Sequence, residues 1–322
     1  MRKMGKRLLA VLSVLVVLMT GCSKETITKE ETVRSDVQAE AMIVLTNERN
    51  RYEKVYTDQI WSVPVGTSGM NFEEYLAQQV EDFMYELDHI VNLAEEYGII
   101  LDKEEERLVS QASAEYYDSL TASDRSYMGI EKEDVSRLYS RYCLANKAVD
   151  ELTRNIDLEV SDSEARVCEV LQIYVTDRSK AEEAYKQVTE QEADFESVAR
   201  KYSENTQIRR QMARGEQDEA LEEVIFALED GQISSIVEDQ GGYSIFYSIE
   251  DYDEEATLLR KSEISQARKN TAFLMIYEKY MQEYGKKEKS PLNLENIHFS
   301  PEDGAETDQF FEIYDKYLKQ KV

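Results

Sequence analysis

From residue 71 to 97 apolar side chains return at three- and four-residue steps: Phe72, Leu76, Val80, Phe83, Met84, Leu87, Ile90, Val91 and Ala94. That period lays them along one stripe of an α-helix. Asn71 and Glu74 stand at capping-box spacing, and Gly98 suits the left-handed residue just past a helix end. A second helix is predicted from Asp102, with Glu105 at the capping spacing and Leu108, Ala112 and Tyr116 on one face. A third is predicted over about 131–155, with Val135, Leu138, Tyr139, Tyr142, Ala145, Val149 and Leu152. Upstream, 39–60 mixes apolar and charged residues in a helix-like way and ends near Trp61, the single tryptophan, which is expected to anchor a core.

The period then changes. Val167 to Val175 is rich in β-branched residues and reads as a strand. Ser179–Thr189, Phe195–Tyr202 and Glu219–Leu228 read as short helices, and Ser234–Val237 and Tyr243–Ile249 as strands. The order β-α-α-α-β-β describes a small α+β domain. Helical spacing returns from Glu254 to Tyr284, through Leu258, Leu259, Ile264, Ala267, Phe273, Leu274, Ile276, Tyr277, Tyr280 and Met281. So broad an apolar surface needs a partner, and the N-terminal helices are the available one. The expected architecture is therefore α+β: a discontinuous helical domain built from both ends of the chain, with the sheet domain inserted. A last helix is expected at about 307–318.

The first residues carry a different signal. Arg2, Lys3, Lys6 and Arg7 precede an apolar run from Leu8 to Met19, which is shorter than the ~20 residues of a membrane span. Thr20, Gly21 and Cys22 follow. A basic start, a short apolar run and small residues before a cysteine resemble a bacterial lipoprotein signal, with Met19 in place of the usual Leu at the first lipobox position. The resemblance implies cleavage after residue 21, lipidation of Cys22, a polar tether over 22–35 and an extracytoplasmic protein held to the cell membrane by acyl chains. The chain is acidic, with 66 Asp+Glu against 38 Lys+Arg and a net charge of −28. Such a surface disfavours nucleic acid and anionic lipid as partners. Besides Cys22 only Cys143 and Cys168 remain, and the two histidines, His89 and His298, are far apart in sequence. There is no disulfide framework, and no metal site or cofactor is expected.

Three segments between Arg166 and Asp251 carry a family resemblance. Val170-Leu171-Gln172-Ile173-Tyr174-Val175 is similar to the opening strand of parvulin-type (PpiC) prolyl isomerases. Asp194 to Ser203 (DFESVARKYS) resembles that family's DFAELAKEYS segment. Ile225 to Ser234 (IFALEDGQIS), followed by Gly241-Gly242-Tyr243, resembles AFALKPGEIS and the YGYHI strand. The flanking helices and the lipoprotein signal resemble PrsA-type foldases and, more loosely, SurA. By these resemblances the chain divides into a signal at 1–21, a tether at 22–35, a chaperone-like helical part at 36–160, a parvulin-like domain at 165–252 and completing helices at 253–322.

The resemblance also implies where the chemistry sits. Gln172 and Ser244 occupy the positions of the family's two histidines, and Ile208 falls at its acidic or thiol position. Met212, Gln217, Leu221 and Phe226 fall at the substrate-pocket positions. Gln172 and Ser244 remain able to hydrogen-bond each other across adjacent strands, but they do not rebuild an imidazole network. The expectation is a membrane-anchored foldase for exported polypeptides whose isomerase domain is weak or inactive. An isomerase with a rearranged site and a non-catalytic envelope scaffold stay open, as does a homodimer.

Overall fold

The structure is a computed structural model describing residues 36–67, 69–285, 292, 294, 297–299 and 304–319. The expected signal, the lipidated Cys22 and the tether lie outside the described residues. The described residues separate into two compact units, one from within 1–155 and 273–322 and one of 156–272.

The first unit is helical: α1 (Asp36–Tyr56), a 3₁₀ turn (Asp58–Ser62), α2 (Phe72–Glu96), α3 (Lys103–Ser119), α4 (Ala122–Met128) and α5 (Lys132–Thr153). The capping boxes expected at Asn71/Glu74 and Asp102/Glu105 are both formed. Gly98 adopts φ 69° after α2, where a side chain would strain the backbone. The apolar stripes of α2, α3 and α5 form one core with Trp61, whose indole N–H donates to Glu53. The short α4, too short to show an apolar period in the sequence, carries a capping box of its own at Thr121 and Asp124.

Helix α1 is buried on every side from Ala39 to Asn50, including Glu40, Thr46, Asn47, Glu48, Arg49 and Asn50. Buried polar groups of this kind need partners. Arg137 and Arg141 of α5 both bond the Glu40 carboxylate. Asn47 donates to the Tyr116 hydroxyl at 2.6 Å and accepts the Phe310 backbone N–H at 3.0 Å. Arg49 and Asn50 donate to the carbonyls of Ala305 and Thr307. Those partners come from the C-terminal segment, which ends in α11 (Phe310–Leu318). Its Phe310 ring stacks on Tyr139 with centroids 4.3 Å apart.

The second unit holds α6 (Asp162–Ala165), β1 (Val167–Val175), α7 (Arg178–Glu190), α8 (Phe195–Tyr202), β2 (Arg209–Ala213), α9 (Glu219–Ile225), β3 (Val237–Asp239), β4 (Gly242–Glu250) and the start of α10 (Glu254–Tyr284). Its sheet is antiparallel in the order β2-β1-β4-β3. The expected α+β insertion in a discontinuous helical unit is thus observed, with one strand more than the sequence suggested. Strand β2 is an edge strand that opens with Arg209, Arg210 and Gln211 and closes on Met212 and Ala213, so it shows no apolar alternation to read. Gln240 and Gly241, both at positive φ, make the two-residue turn between β3 and β4. A Cβ on Gly242 would stand 2.7 Å from the Val175 carbonyl and 2.8 Å from the Tyr174 ring, so this approach of strands needs glycine.

Helix α10 runs unbroken as predicted, but its apolar positions are used differently. Phe273 and Tyr277 are buried, whereas Leu258 and Leu259 are 57% and 56% exposed. A broad stripe in sequence therefore became a covered C-terminal stretch and an open N-terminal one.

Strand alternation gives the sheet two unlike faces. Leu171, Ile173, Val175 and Ile245 face a dry core made by α7 and α8. Cys168, Val170, Met212 and Phe246 face Leu221, Ile225, Phe226 and Leu228. The second face is apolar only over part of its length.

Candidate active site

On that second face one polar residue comes from each strand, and they bond in the order in which the strands lie. Arg210 of β2 donates through Nη1 to Gln172 Oε1 of β1 at 2.8 Å. Gln172 Nε2 donates to Ser244 Oγ of β4 at 2.8 Å and to Asp239 Oδ2 of β3 at 3.0 Å. Ser244 Oγ donates to the same Asp239 oxygen at 2.6 Å. Gln172 and Ser244 are 1% and 0% exposed, so the middle of the row is sealed. Its amide orientation is forced: the oxygen must meet the guanidinium and the nitrogen must meet the carboxylate.

The two-residue period explains the assembly. Gln172 lies two positions before Tyr174, Arg210 two before Met212, and Ser244 two before Phe246, so each pair shares a face. Gln172, Tyr174, Arg210, Met212 and Phe246 line a pocket of about 220 Å³ together with Asn205, Gln217, Leu221, Asp239 and Gln240, and Ser244 lies behind it. Met212, Leu221 and Phe246 form its apolar floor, and the polar row forms its wall. The loop before α9 is pinned by Glu222, which accepts the backbone N–H groups of Gly215 and Gln217. The volume is below the ~300–1,000 Å³ of pockets for drug-sized ligands and suits a small ring with its adjoining amide.

Of the residues expected from sequence, Gln172, Met212, Gln217 and Leu221 line this pocket, and Ser244 bonds directly behind it. Ile208 does not enter the row. It packs with the core of the opposite face, and its carbonyl accepts the Gln172 backbone N–H. The carboxylate in the row is Asp239. Phe226 is buried beneath the Arg166 and Arg214 guanidiniums, 5.6 and 4.6 Å from its ring centroid, and is not among the lining residues. The aromatic at the floor is Phe246. Phe246 was legible from strand alternation two residues past Ser244, whereas Arg210 was not, because β2 shows no apolar alternation to read. Asp239 had no such signal, because the register of β3 against β4 decides it.

Ser244 donates to the Asp239 carboxylate, but its hydroxyl is fully buried and does not face the pocket. Burial pushes the Cys168 thiol up to about 11, so it is an inert core group beside the floor. Cys143, in the other unit, is likewise free and raised to about 11 by burial. His89 and His298 both lie outside 156–272, so the inserted unit has no imidazole. Among the described residues no cluster suited to a metal ion is found. What the site offers is an apolar seat for a ring and a cation held by the polar row.

Comparison with known proteins bears on this geometry. No curated protein matches the chain. Among solved structures it is similar to the peptidylprolyl isomerase PrsA from Bacillus cereus, at 18% identity over 78% of this chain and 98% of that one, with a TM-score of 0.39. PrsA from Bacillus subtilis is 18% identical over 72% and 95%, with a TM-score of 0.26. The foldase protein PrsA from Streptococcus pneumoniae is 17% identical over 76% and 92%, with a TM-score of 0.28. The family model that matches is Rotamase, the PPIC-type PPIASE domain, over residues 175–250. That stretch contains Arg210, Asp239 and Ser244 and stops short of Gln172. The inserted unit therefore carries a PPIC-type peptidyl-prolyl isomerase domain, the parvulin type to which its strand and helix segments are similar.

Proposed function

We propose that the protein is a foldase for exported polypeptides, anchored outside the cytoplasmic membrane through Cys22, and that its inserted domain isomerises prolyl bonds at a modest rate. The observation that carries the catalytic part is the joining of an apolar floor, Met212, Leu221 and Phe246, to a fixed polar wall in one small pocket. Prolyl isomerisation breaks no bond. Its barrier of about 18–20 kcal/mol is the loss of amide conjugation. A site lowers that barrier by seating the ring, excluding water and favouring the twisted amide over the planar one. The floor seats the ring, and the row of Arg210, Gln172, Ser244 and Asp239 fixes the dipoles around it. Without imidazoles the row has fewer adjustable donors, which is why the rate is modest.

Anchoring rests on the basic, apolar and small-Cys order of residues 2–22. Among the described residues no helix is long and apolar enough to cross a membrane. Unfolded exported chains are the proposed clients, and the acidic surface favours basic ones.

The test is cis–trans exchange of an Xaa-Pro peptide followed by NMR with soluble protein beginning after Cys22. Exchange faster than the background of tens to hundreds of seconds supports the isomerase. An unchanged rate leaves a chain-binding protein only. Separately, Cys22→Ser is expected to move the protein from the membrane fraction to the soluble one.

A further inference from the structure

The geometry points to Arg210 as the catalytic residue of this pocket, donating a hydrogen bond to the prolyl nitrogen as the amide twists. The inference rests on the isomerase reading and adds the group that does the chemistry. In a planar amide the nitrogen lone pair is delocalised into the carbonyl and accepts almost no hydrogen bond. As the bond rotates through the perpendicular form, the lone pair returns to nitrogen and the carbonyl oxygen loses negative charge. A donor at the nitrogen is therefore worth more in the transition state than in either ground state, whereas a donor at the oxygen would stabilise the planar forms and slow the exchange.

Five polar side chains that can donate line the pocket beside the row's interior: Tyr174, Asn205, Arg210, Gln217 and Gln240. Arg210 differs from the rest in two respects. It is a cation, and charge-assisted hydrogen bonds are about twice as strong as neutral ones. It is also the one held by the row. Its Nη1 is tied to Gln172, whose own amide is locked by Ser244 and Asp239. The bond to Gln172 occupies one corner of a planar fork of five donors. No carboxylate pairs with Arg210 among the described residues, so the remainder of the fork is not spent on a salt bridge. Met212, two residues on along β2, places the apolar floor next to it. A proline ring on that floor brings its nitrogen to the polar wall.

The row also explains how a bare cation is tolerated there. Asp239 sits at the far end, and the Gln172 amide dipole lies between, oxygen toward the arginine and nitrogen toward the carboxylate. The carboxylate steadies the guanidinium through that dipole without covering its donors. A direct ion pair would have consumed them.

The experiment compares wild type, Arg210→Met and Arg210→Lys by NMR exchange on one Xaa-Pro peptide, with peptide binding titrated in parallel. Arg210→Met is expected to bind the peptide within a few-fold of wild type and to lose exchange rate at saturation by on the order of tenfold to a hundredfold, the range of one hydrogen bond to a charged group. Arg210→Lys, which keeps the cation and the apolar stem, is expected to fold like wild type and to recover part of the rate. An Arg210→Met protein with the wild-type rate at equal occupancy would overturn the inference. So would a loss of binding that accounts for the whole loss of rate, since that would make Arg210 a ground-state contact. If wild type itself gives no acceleration while still binding the peptide, the isomerase reading falls and takes this inference with it. If Arg210→Met does not fold, a wild-type rate in Arg210→Lys together with a shift of its pH profile to the lysine range supports a donor role, and a rate equal to background in a folded Arg210→Lys with intact binding opposes it.

Discussion

In the helical unit, Glu40, Asn47, Arg49 and Asn50 sit inside the protein with partners drawn from α3, α5 and the C-terminal segment. In the inserted unit, Arg210, Gln172, Ser244 and Asp239 are joined as closely, but their row ends at a pocket. The first network is closed on itself and the second is open at one wall. A closed network spends its donors on specifying one packing, because any misfit leaves a buried group without a partner. An open one uses its interior members to aim the one at its edge. The difference separates stability from chemistry in this protein.

The sharpest way to break that comparison is Phe310→Ala. Phe310 stacks on Tyr139, meets Tyr116 and Phe311 edge-on, and gives its N–H to Asn47. Loss of its ring is expected to cost about 3–5 kcal/mol in urea unfolding of the helical unit. The prolyl exchange rate should hold. A rate that falls in step with stability would show that the two networks are not separate.

A smaller effect is expected at Glu48. Burial pushes its carboxyl up to about 7 from 4.5, outweighing an ion pair to Arg51 at 2.6 Å. The folded protein therefore holds this proton more tightly than the unfolded chain does. Stability contributed by the site is complete below about pH 4.5, falls as pH rises toward about 7 and is flat above it. The full swing is on the order of 3 kcal/mol. Glu48→Gln should remove the slope and raise stability at pH 8, as read from urea midpoints across that window. Asp124 behaves oppositely. Burial raises it, but bonds from Thr121 and from the backbone N–H groups of Glu306 and Thr307 outweigh that and leave it lowered.

Smaller again is Ser244→Ala, which leaves one Gln172 amide hydrogen without its acceptor and Asp239 with one donor fewer. A loss of about 1–2 kcal/mol in the stability of the inserted unit is expected. Because Asp239 still anchors Gln172, part of the exchange rate should survive. If the rate drops to background, the row works only as a complete set, and the edge residue cannot be treated apart from its interior.

How much of this was legible in the sequence follows the range of the interactions. The capping boxes at Asn71 and Asp102 could be read because cap and partner are three residues apart. The one at Thr121 and Asp124 has the same spacing, but so short a helix carries no apolar period. The all-round burial of α1 had no local signature: charged residues on a helix read as solvated until partners up to 263 residues away are known. Strand β2 was hidden for a related reason, since Arg209 and Gln211 on its outer face pair with Glu169 and Asp253, and only Met212 and Ala213 are buried. Of the residues taken from family positions, Gln172 and Met212 line one pocket and Ser244 bonds Gln172. Those positions did not locate the carboxylate, since Asp239 reaches the row through the register of β3, which a position-by-position reading does not encode.

The enclosure of α1 has a consequence for the order of events when the chain is made. Synthesis delivers α1 first, while Ala305, Thr307 and Phe310, which satisfy Arg49, Asn50 and Asn47, arrive near the end. Until then Arg49 and Asn50 lack their backbone acceptors and Asn47 lacks the Phe310 N–H, although Asn47 already has Tyr116 and Glu40 has Arg137 and Arg141. The inserted unit, with its residues contiguous from 156 to 272, can close as soon as it emerges. Contacts of such long sequence separation are slow to form. Among the described elements α1 is therefore made earliest and waits longest for its partners, and a nascent chain cut short before residue 305 would contain a complete inserted unit and a helical unit still lacking those partners.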